Sequence, residues 1–574
     1  MNKKNILFAS LLLGGLPLMG TLSAEAAVRD TISINQGWQF HRGDVKNMAE
    51  LITTQSGDDV VNLPHDFLIG QDWMAPDASE RPDNSDAGSN VRSRLSPRGF
   101  KEMGIGWYRY ELTPKAEWKG KRIVLDFQGI MLVGDVYLNG QRVGGTDYGY
   151  LGFDIDLSKL LKWGQVNEII VKADTGKPNN SRWYTGGGLF RDVNLIVTDK
   201  NLYFPRHPLF IRTVNNKEIK IRANILNLQK TKKPQIPVEV KILNAEGKVV
   251  TQQKCDLHFN AKWRDREYEL PSISLEDAKL WSPDSPYLYT AEVTLYDNEG
   301  NIADQIREPF GIRTIEMNPE KGLLVNGKKV LLKGYANHHT LGALGAAAYP
   351  RAIEKRLKLM KEFGMNHIRS SHNPYSEDFL KLCDKYGILV VDELYDKWFT
   401  QYAGGRVEWE SLWQKDIPEW VKRDRNHPSV ILWSLGNELQ QYSNLPFNDW
   451  GVTAYKLQKE LLHRYDDTRL TTVAMHPRYR NLETDSIPAD LAVATEVSSY
   501  NYRYMYFPGD MKRYPEKTFY QSEASVAAMG PNFYEMDRDK VLGLAYWGAI
   551  DYLGESMGWP IKGWNQGVFD LSLQ

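Results

Sequence analysis

At 574 residues the chain is several times longer than one hydrophobic core organises, and a typical domain size of about 150 residues predicts three or four domains. Its 71 Lys and Arg against 72 Asp and Glu leave a formal net charge of -1 with no long basic run, which argues against nucleic acid or an anionic membrane as partner. The 17 Trp and 30 Tyr supply flat apolar faces with polar edges, the surface on which the C–H face of a sugar stacks.

Residues 1–27 carry the pattern of a secretory signal: Lys3 and Lys4, an apolar run from Ile6 to Met19, and small residues at Ala24, Ala26 and Ala27. No other stretch approaches the roughly 20 apolar residues of a membrane span, and no cysteine lies beside the cleavage site to take a lipid. An exported protein, periplasmic or secreted and without a membrane anchor, is expected. Cys255 and Cys383 are too few for a disulfide framework and read as unpaired buried thiols.

From 28 to 204 short alternating segments such as Gly104 to Leu112 and Arg122 to Phe127 predict a β-sandwich. Within it, Asp135 to Leu138, then Asn139-Gly140, then Gln141 to Val143 reads as a hairpin, because Asn-Gly accepts the left-handed angles of a two-residue turn. A second set of strands from 205 to 317, including Glu218 to Ile225, Val238 to Leu243 and Ala291 to Tyr296, has the length and turn spacing of an immunoglobulin-like sandwich.

After Asn318 strands alternate with helices, which predicts a (β/α)8 TIM barrel over 318–574. The eight strands are read at Val330 to Tyr335, Asn366 to Ser371, Ile388 to Asp392, Val430 to Leu435, Thr471 to Ala474, Ala492 to Ser498, Thr518 to Ser522 and Leu542 to Trp547. Helices end at Gly364 and Gly387, since glycine takes the left-handed cap. After the eighth strand no closing helix is legible, so the barrel reads as truncated there, with apolar surface left to cover.

Reactive side chains in such barrels sit at the carboxyl ends of the strands. Those positions read Asn337-His338-His339, Arg369 with Ser371-His372-Asn373, Asp392-Glu393, Asn437-Glu438, Tyr500-Asn501-Tyr502, Glu523, and Trp547 with Asp551. Glu438 and Glu523, at the ends of strands four and seven, stand across the barrel mouth. Such a pair suits glycoside hydrolysis, one carboxyl protonating the leaving oxygen while the other attacks the anomeric carbon, with retention if they are roughly 5 to 5.5 Å apart. Mutual repulsion is expected to raise the pKa of the proton donor, Glu438, while Arg369 keeps Glu523 ionised. Asp392 and Glu393 read as braces of the strand end. Asn337-His338-His339 lacks a third ligand at metal spacing.

Nearly the whole mature sequence resembles glycoside hydrolase family 2, the β-galactosidases, β-glucuronidases and β-mannosidases. The resemblance rests on Gly104 to Tyr110, Asp135 to Gly140 and Gly188 to Val193 in the first domain. In the barrel it rests on Asn366 to Pro374, Tyr386 to Glu393 and, most specifically, Asn426 to Glu438. It implies that Glu438 is the acid/base, that Asn437 bonds the sugar 2-hydroxyl, and that Glu523, in Phe519 to Ser525, is the nucleophile. It further implies His338 and His372 toward sugar hydroxyls, Arg369 toward the nucleophile, Tyr502 beside it and Trp547 as a sugar-facing wall. The segment Gly563 to Gly567 lacks the lysine with which family glucuronidases hold a uronate, although Arg503 is available to an acidic sugar. Leu394 to Phe399 lacks the Glu-x-His pair of the metal-dependent galactosidases, so neither a metal nor a cofactor is expected. The expected activity is removal of terminal β-linked galactose from oligo- or polysaccharides by double displacement, by a monomer or a homo-oligomer. The alternatives are a mannosidase, hexuronidase or arabinosidase, or a non-catalytic glycan-binding protein with a degenerate barrel.

Overall fold

The computed structural model describes residues 29–45, 59–76, 98–176, 181–230, 235–260, 262–399, 405–439, 449–476 and 487–574. The expected signal segment, 1–27, lies outside the described residues.

The first unit is a sandwich of a four-stranded and a six-stranded antiparallel sheet. Asp30–Ser33, Val193–Thr198, Arg122–Phe127 and Phe153–Asp156 form one; Asp59–Val61, Trp38–Arg42, Ile105–Leu112, Asn167–Asp174, Val133–Leu138 and Gln141–Thr146 form the other. Alternation along these strands sends Trp38, Tyr108, Leu125 and Val171 into a shared core. The Asn139-Gly140 turn takes φ of 50° and 83°, the mirror-image turn that matches strand twist. The second sandwich packs its own core around Ile221, Val240 and Val293. Cys383 is buried, whereas Cys255 is only partly so: it shares the inward face of Val249–His258 with Leu257 and packs against the core, but that strand is the edge of its sheet; both are free thiols.

The barrel closes. Its parallel strands are β1 (Leu332–Asn337), β2 (His367–Ser370), β3 (Leu389–Glu393), β4 (Val430–Asn437), β5 (Thr471–Met475), β6 (Val497–Asn501), β7 (Thr518–Ser525) and β8 (Gly543–Trp547). β8 pairs with β1 from Leu332↔Gly543 to Ala336↔Trp547, so the ring is complete although no helix follows β8 among the described residues. The strand expected from Ala492 begins only at Val497, because Asp490–Ala494 makes a short helix. Glu496 therefore precedes the strand, where its carboxylate accepts the Thr471 N–H. Ser376 caps the helix Glu377–Tyr386 by accepting from the Phe379 N–H, and Gly387, at φ 68°, ends it.

After β8 the chain forms an antiparallel hairpin, β9 (Tyr552–Gly558) with β10 (Ile561–Trp564). The hairpin leans on the first sandwich: the Tyr184 N–H donates to Leu553 O and the Glu555 N–H to Arg182 O, at 3.0 Å each. Phe569 then returns to the exit of β8, its N–H donating to Ala549 O, and is buried there.

The second sandwich is sewn to the barrel by the start of the segment that ends in Glu438. The Asn426 side chain donates to Leu209 O and accepts from the Ile211 N–H, and Arg313 donates to the carbonyls of Pro428 and Val430. One segment thus fixes a domain contact at one end and a carboxylate at the other.

Candidate active site

A cleft of about 280 Å³ opens at the carboxyl ends of the strands, lined by Arg182, His372, Asn437, Glu438, His476, Tyr502, Glu523, Trp547, Glu555 and Trp564. Both expected carboxylates are there, with Asn437, His372, Tyr502 and Trp547. Three lining residues without glycine's freedom, Glu438 (φ 51°), Tyr502 (φ 59°) and Glu555 (φ 46°), adopt left-handed backbone. Such conformers cost of order 1–3 kcal/mol each and concentrate where surrounding contacts overdetermine a functional geometry. At Glu438 the N–H donates to Ala474 O, and at Tyr502 to Glu523 O.

Arg369 does not face the cleft. It is fully buried behind Glu523, donating from Nη1 to Glu523 Oε1 at 2.8 Å, from Nε and Nη2 to Glu393, and from Nη2 to Asn437 Oδ1 at 3.1 Å. Glu393 is fully buried too, and also accepts from Ser434 Oγ at 2.6 Å. Burial pushes its carboxyl up to about 7, against the pull of Arg369 and Ser434. His372 places Nδ1 2.6 Å from Glu393 Oε1 and Nε2 3.8 Å from Glu523 Oε1. Burial holds its imidazole neutral, its pKa well below the ordinary value, so with the Nδ1 hydrogen given to Glu393 the Nε2 lone pair faces the cleft.

His338 also lies outside the lining. It is buried with Nδ1 3.2 Å from Ser371 O, stacked on Trp183 of the first sandwich (ring centroids 4.2 Å apart, planes 13° apart) and meeting Trp547 and Tyr552 edge-on. Its place is a joint between the sandwich and the cleft wall.

The two cleft carboxylates have unequal surroundings. Glu523 is nearly enclosed, and burial raises its pKa; the charge of Glu438 adds to this, while Arg369 and a hydrogen bond with Tyr502 oppose it. Glu438 is also desolvated, but His476 Nε2 at 2.9 Å, the charge of Lys397 and the Asn501 amide at 3.0 Å outweigh that and bring it to about 2. The split thus runs opposite to the expectation that Glu438 is the raised member. The cause is His476, which follows β5, the one strand whose end contributed no candidate above although it lay directly after the Thr471 to Ala474 run.

Three other lining residues were not expected. Arg182 comes from the first sandwich just ahead of the Gly188 to Val193 motif, and Glu555 and Trp564 from the hairpin; only three-dimensional proximity unites them. Arg503 donates to the carbonyl of Tyr502 and does not line the cleft, and Asp551 accepts the Gly567 N–H.

Comparison with known proteins agrees with this architecture. Residues 96–199 match the family model described as the glycosyl hydrolases family 2 sugar binding domain, 207–313 that of glycosyl hydrolases family 2, and 315–529 that of the family's TIM barrel domain. The chain is 30% identical to β-galactosidase BoGH2A of Bacteroides ovatus over 96% of its own length and 72% of that protein. The chain belongs to glycoside hydrolase family 2. A solved family 2 member from Bacteroides cellulosilyticus superposes with a TM-score of 0.82 at 30% identity, covering 95% of this chain and 69% of that one. A β-glucuronidase of Bacteroides fragilis is 28% identical over 78% of this chain and 61% of its own length. A putative β-glucuronidase of Formosa agariphila is 32% identical, and there the chain spans 38% of the relative. Family 2 relatives thus include both galactosidases and glucuronidases.

Proposed function

We propose that this family 2 member is an exported, retaining exo-β-glycosidase that removes terminal β-linked galactose. The reading is carried by Glu438 and Glu523, on the ends of β4 and β7 and lining one cleft, with Glu523 held by Arg369 and Tyr502. Glu523 attacks the anomeric carbon as the glycosidic C–O bond breaks, and the leaving oxygen takes the proton of Glu438. Glu438 then takes a proton from water, whose oxygen displaces Glu523 from the sugar. The pair needs one proton in all. Burial favours it on Glu523, and a sugar seated over Glu438 desolvates that carboxylate further and so favours the transfer that leaving-group protonation requires.

A neutral sugar is supported by the charge of the lining. Glu438, Glu523 and Glu555 face one guanidinium, Arg182, which is itself paired with carboxylates. A uronate would add like charge to this cleft. Export rests on the pattern of residues 1–27.

A panel of p-nitrophenyl β- and α-glycosides, tested on the wild type, Glu438→Gln and Glu523→Gln, tests the reading. The β-galactoside should be cleaved best, both variants should lose at least a thousandfold in kcat, and azide should rescue Glu523→Gln to an inverted glycosyl azide. A folded wild type that cleaves no member of the panel, or full activity in Glu523→Gln, overturns it.

A further inference from the structure

We infer that Glu555 is a specificity-determining residue that excludes uronides by occupying Arg182; the inference rests on the glycosidase reading above. Arg182 stands on the cleft wall with its side chain 44% exposed, a position from which a guanidinium would make the bidentate contact that carboxylates favour. Instead its Nε lies 3.1 Å from Glu555 Oε1 and its Nη2 3.4 Å from both oxygens of Asp396. Asp396 is further committed to Lys397 Nζ at 2.9 Å and to the Asn437 amide at 3.1 Å. The adjustable partner is therefore Glu555.

Glu555 is held where it stands. Tyr552 Oη donates to its second carboxylate oxygen at 2.5 Å, its N–H donates to Arg182 O, and Trp183 bridges to Gly554 beside it. The sandwich loop and the hairpin thus meet backbone to backbone, which keeps both ends of the ion pair fixed. Partial desolvation opposes the charge on Arg182, yet Asp396, Glu555 and the two cleft carboxylates outweigh it and raise its pKa, so the guanidinium stays charged and occupied. Replacing Glu555 by glutamine removes one negative charge from the wall and one of the two carboxylates that hold the arginine. A substrate carboxylate can then take the vacated side of the guanidinium.

The test compares wild type, Glu555→Gln and Glu555→Asp. The kcat/KM ratio of p-nitrophenyl β-glucuronide to β-galactoside should rise at least tenfold in Glu555→Gln and stay within threefold of wild type in Glu555→Asp, which keeps the charge. In parallel, calorimetric Kd values for an aldonolactone and its uronate counterpart should show the same shift without relying on turnover. Unchanged ratios in both measurements for a folded Glu555→Gln overturn the inference. A wild type that cleaves no glycoside defeats the glycosidase reading instead and leaves the lactone arm to decide this one.

Discussion

Arg369 holds Glu523 at 2.8 Å with one guanidinium nitrogen while the other side of the same group holds Glu393 at 2.7 Å, and all three side chains are at most 5% exposed. One buried cation serves two buried carboxylates, so its removal strands both.

Arg369→Met is expected to destabilise by about 3–5 kcal/mol, the usual cost of breaking a buried pair. Adding Glu393→Gln should recover much of that stability but not activity, because Glu523 still lacks its cation. Arg369 pulls the Glu523 carboxyl down, so its loss raises that pKa further and, because the single proton of the free pair rests on Glu523, moves the basic limb of kcat/KM to higher pH. Thermal midpoints and pH–rate profiles of the single and double variants check this; an unmoved basic limb contradicts it.

His476→Asn acts on the other carboxylate. The His476 contact lowers Glu438, so its removal should raise the Glu438 pKa, the lower of the pair, and move the acidic limb of kcat/KM to higher pH, with the basic limb less affected. An acidic limb that stays put, or moves down, would show that the His476 contact does not hold Glu438 ionised.

His367 offers a pH test remote from the cleft lining. Neutral, it donates from Nδ1 to Leu389 O (3.0 Å) and accepts Tyr520 Oη at Nε2 (2.6 Å), and burial lowers its pKa from 6.5 to about 4. The unfolded chain therefore binds more protons below pH 6.5, so this contribution is full above that pH and is lost as the pH falls toward 4. At pH 5.5 the loss is about 1 kcal/mol relative to neutral pH. His367→Gln should lose less stability than wild type between pH 7.5 and 5.5 by about that amount; equal losses in chemical denaturation refute it.

Trp183→Ala removes the ring on which His338 stacks across the joint between sandwich and barrel. A fully buried Trp truncated to Ala costs about 3–5 kcal/mol. The thermal midpoint should fall, and because the neighbouring backbone carries Arg182 to the cleft, KM should rise more than kcat falls. A loss of stability with unchanged KM would confine Trp183 to packing.

Asn437 links the two networks, accepting from Arg369 and from Asn501 Nδ2 while donating to Asp396. If its amide also reads the sugar 2-hydroxyl, Asn437→Ala should cost at least a hundredfold in kcat/KM on a β-galactoside and under tenfold on the 2-deoxy analogue, because 2-hydroxyl bonds strengthen in the transition state. Equal losses on the two substrates would assign Asn437 to positioning alone.

Much of the architecture follows from local pattern. Alternation marks the sandwich strands, Asn139-Gly140 its hairpin, Ser376 and Gly387 the ends of a helix, and the β/α rhythm the barrel, because these depend on residues close along the chain. The same rhythm brought Glu438 and Glu523 to strand ends, and the structure brings them to one cleft. It misjudged the start of β6, where a short helix and a strand share an apolar run, and found nothing regular after β8, where β9 and β10 are rich in glycine.

The order of residues by itself determined the fold class, the family resemblance and the pair of carboxylates, because period and motif are properties of neighbouring residues. Only the tertiary structure decided what surrounds that pair. Arg369 lies behind Glu523 rather than in the cleft, His338 braces a joint, His476 reverses the proton preference of Glu438, and Arg182 meets Glu555 from more than 370 positions away. The physical reason is that burial and charge act through space: desolvation and Coulomb terms depend on which distant segments pack together, and no local period encodes that.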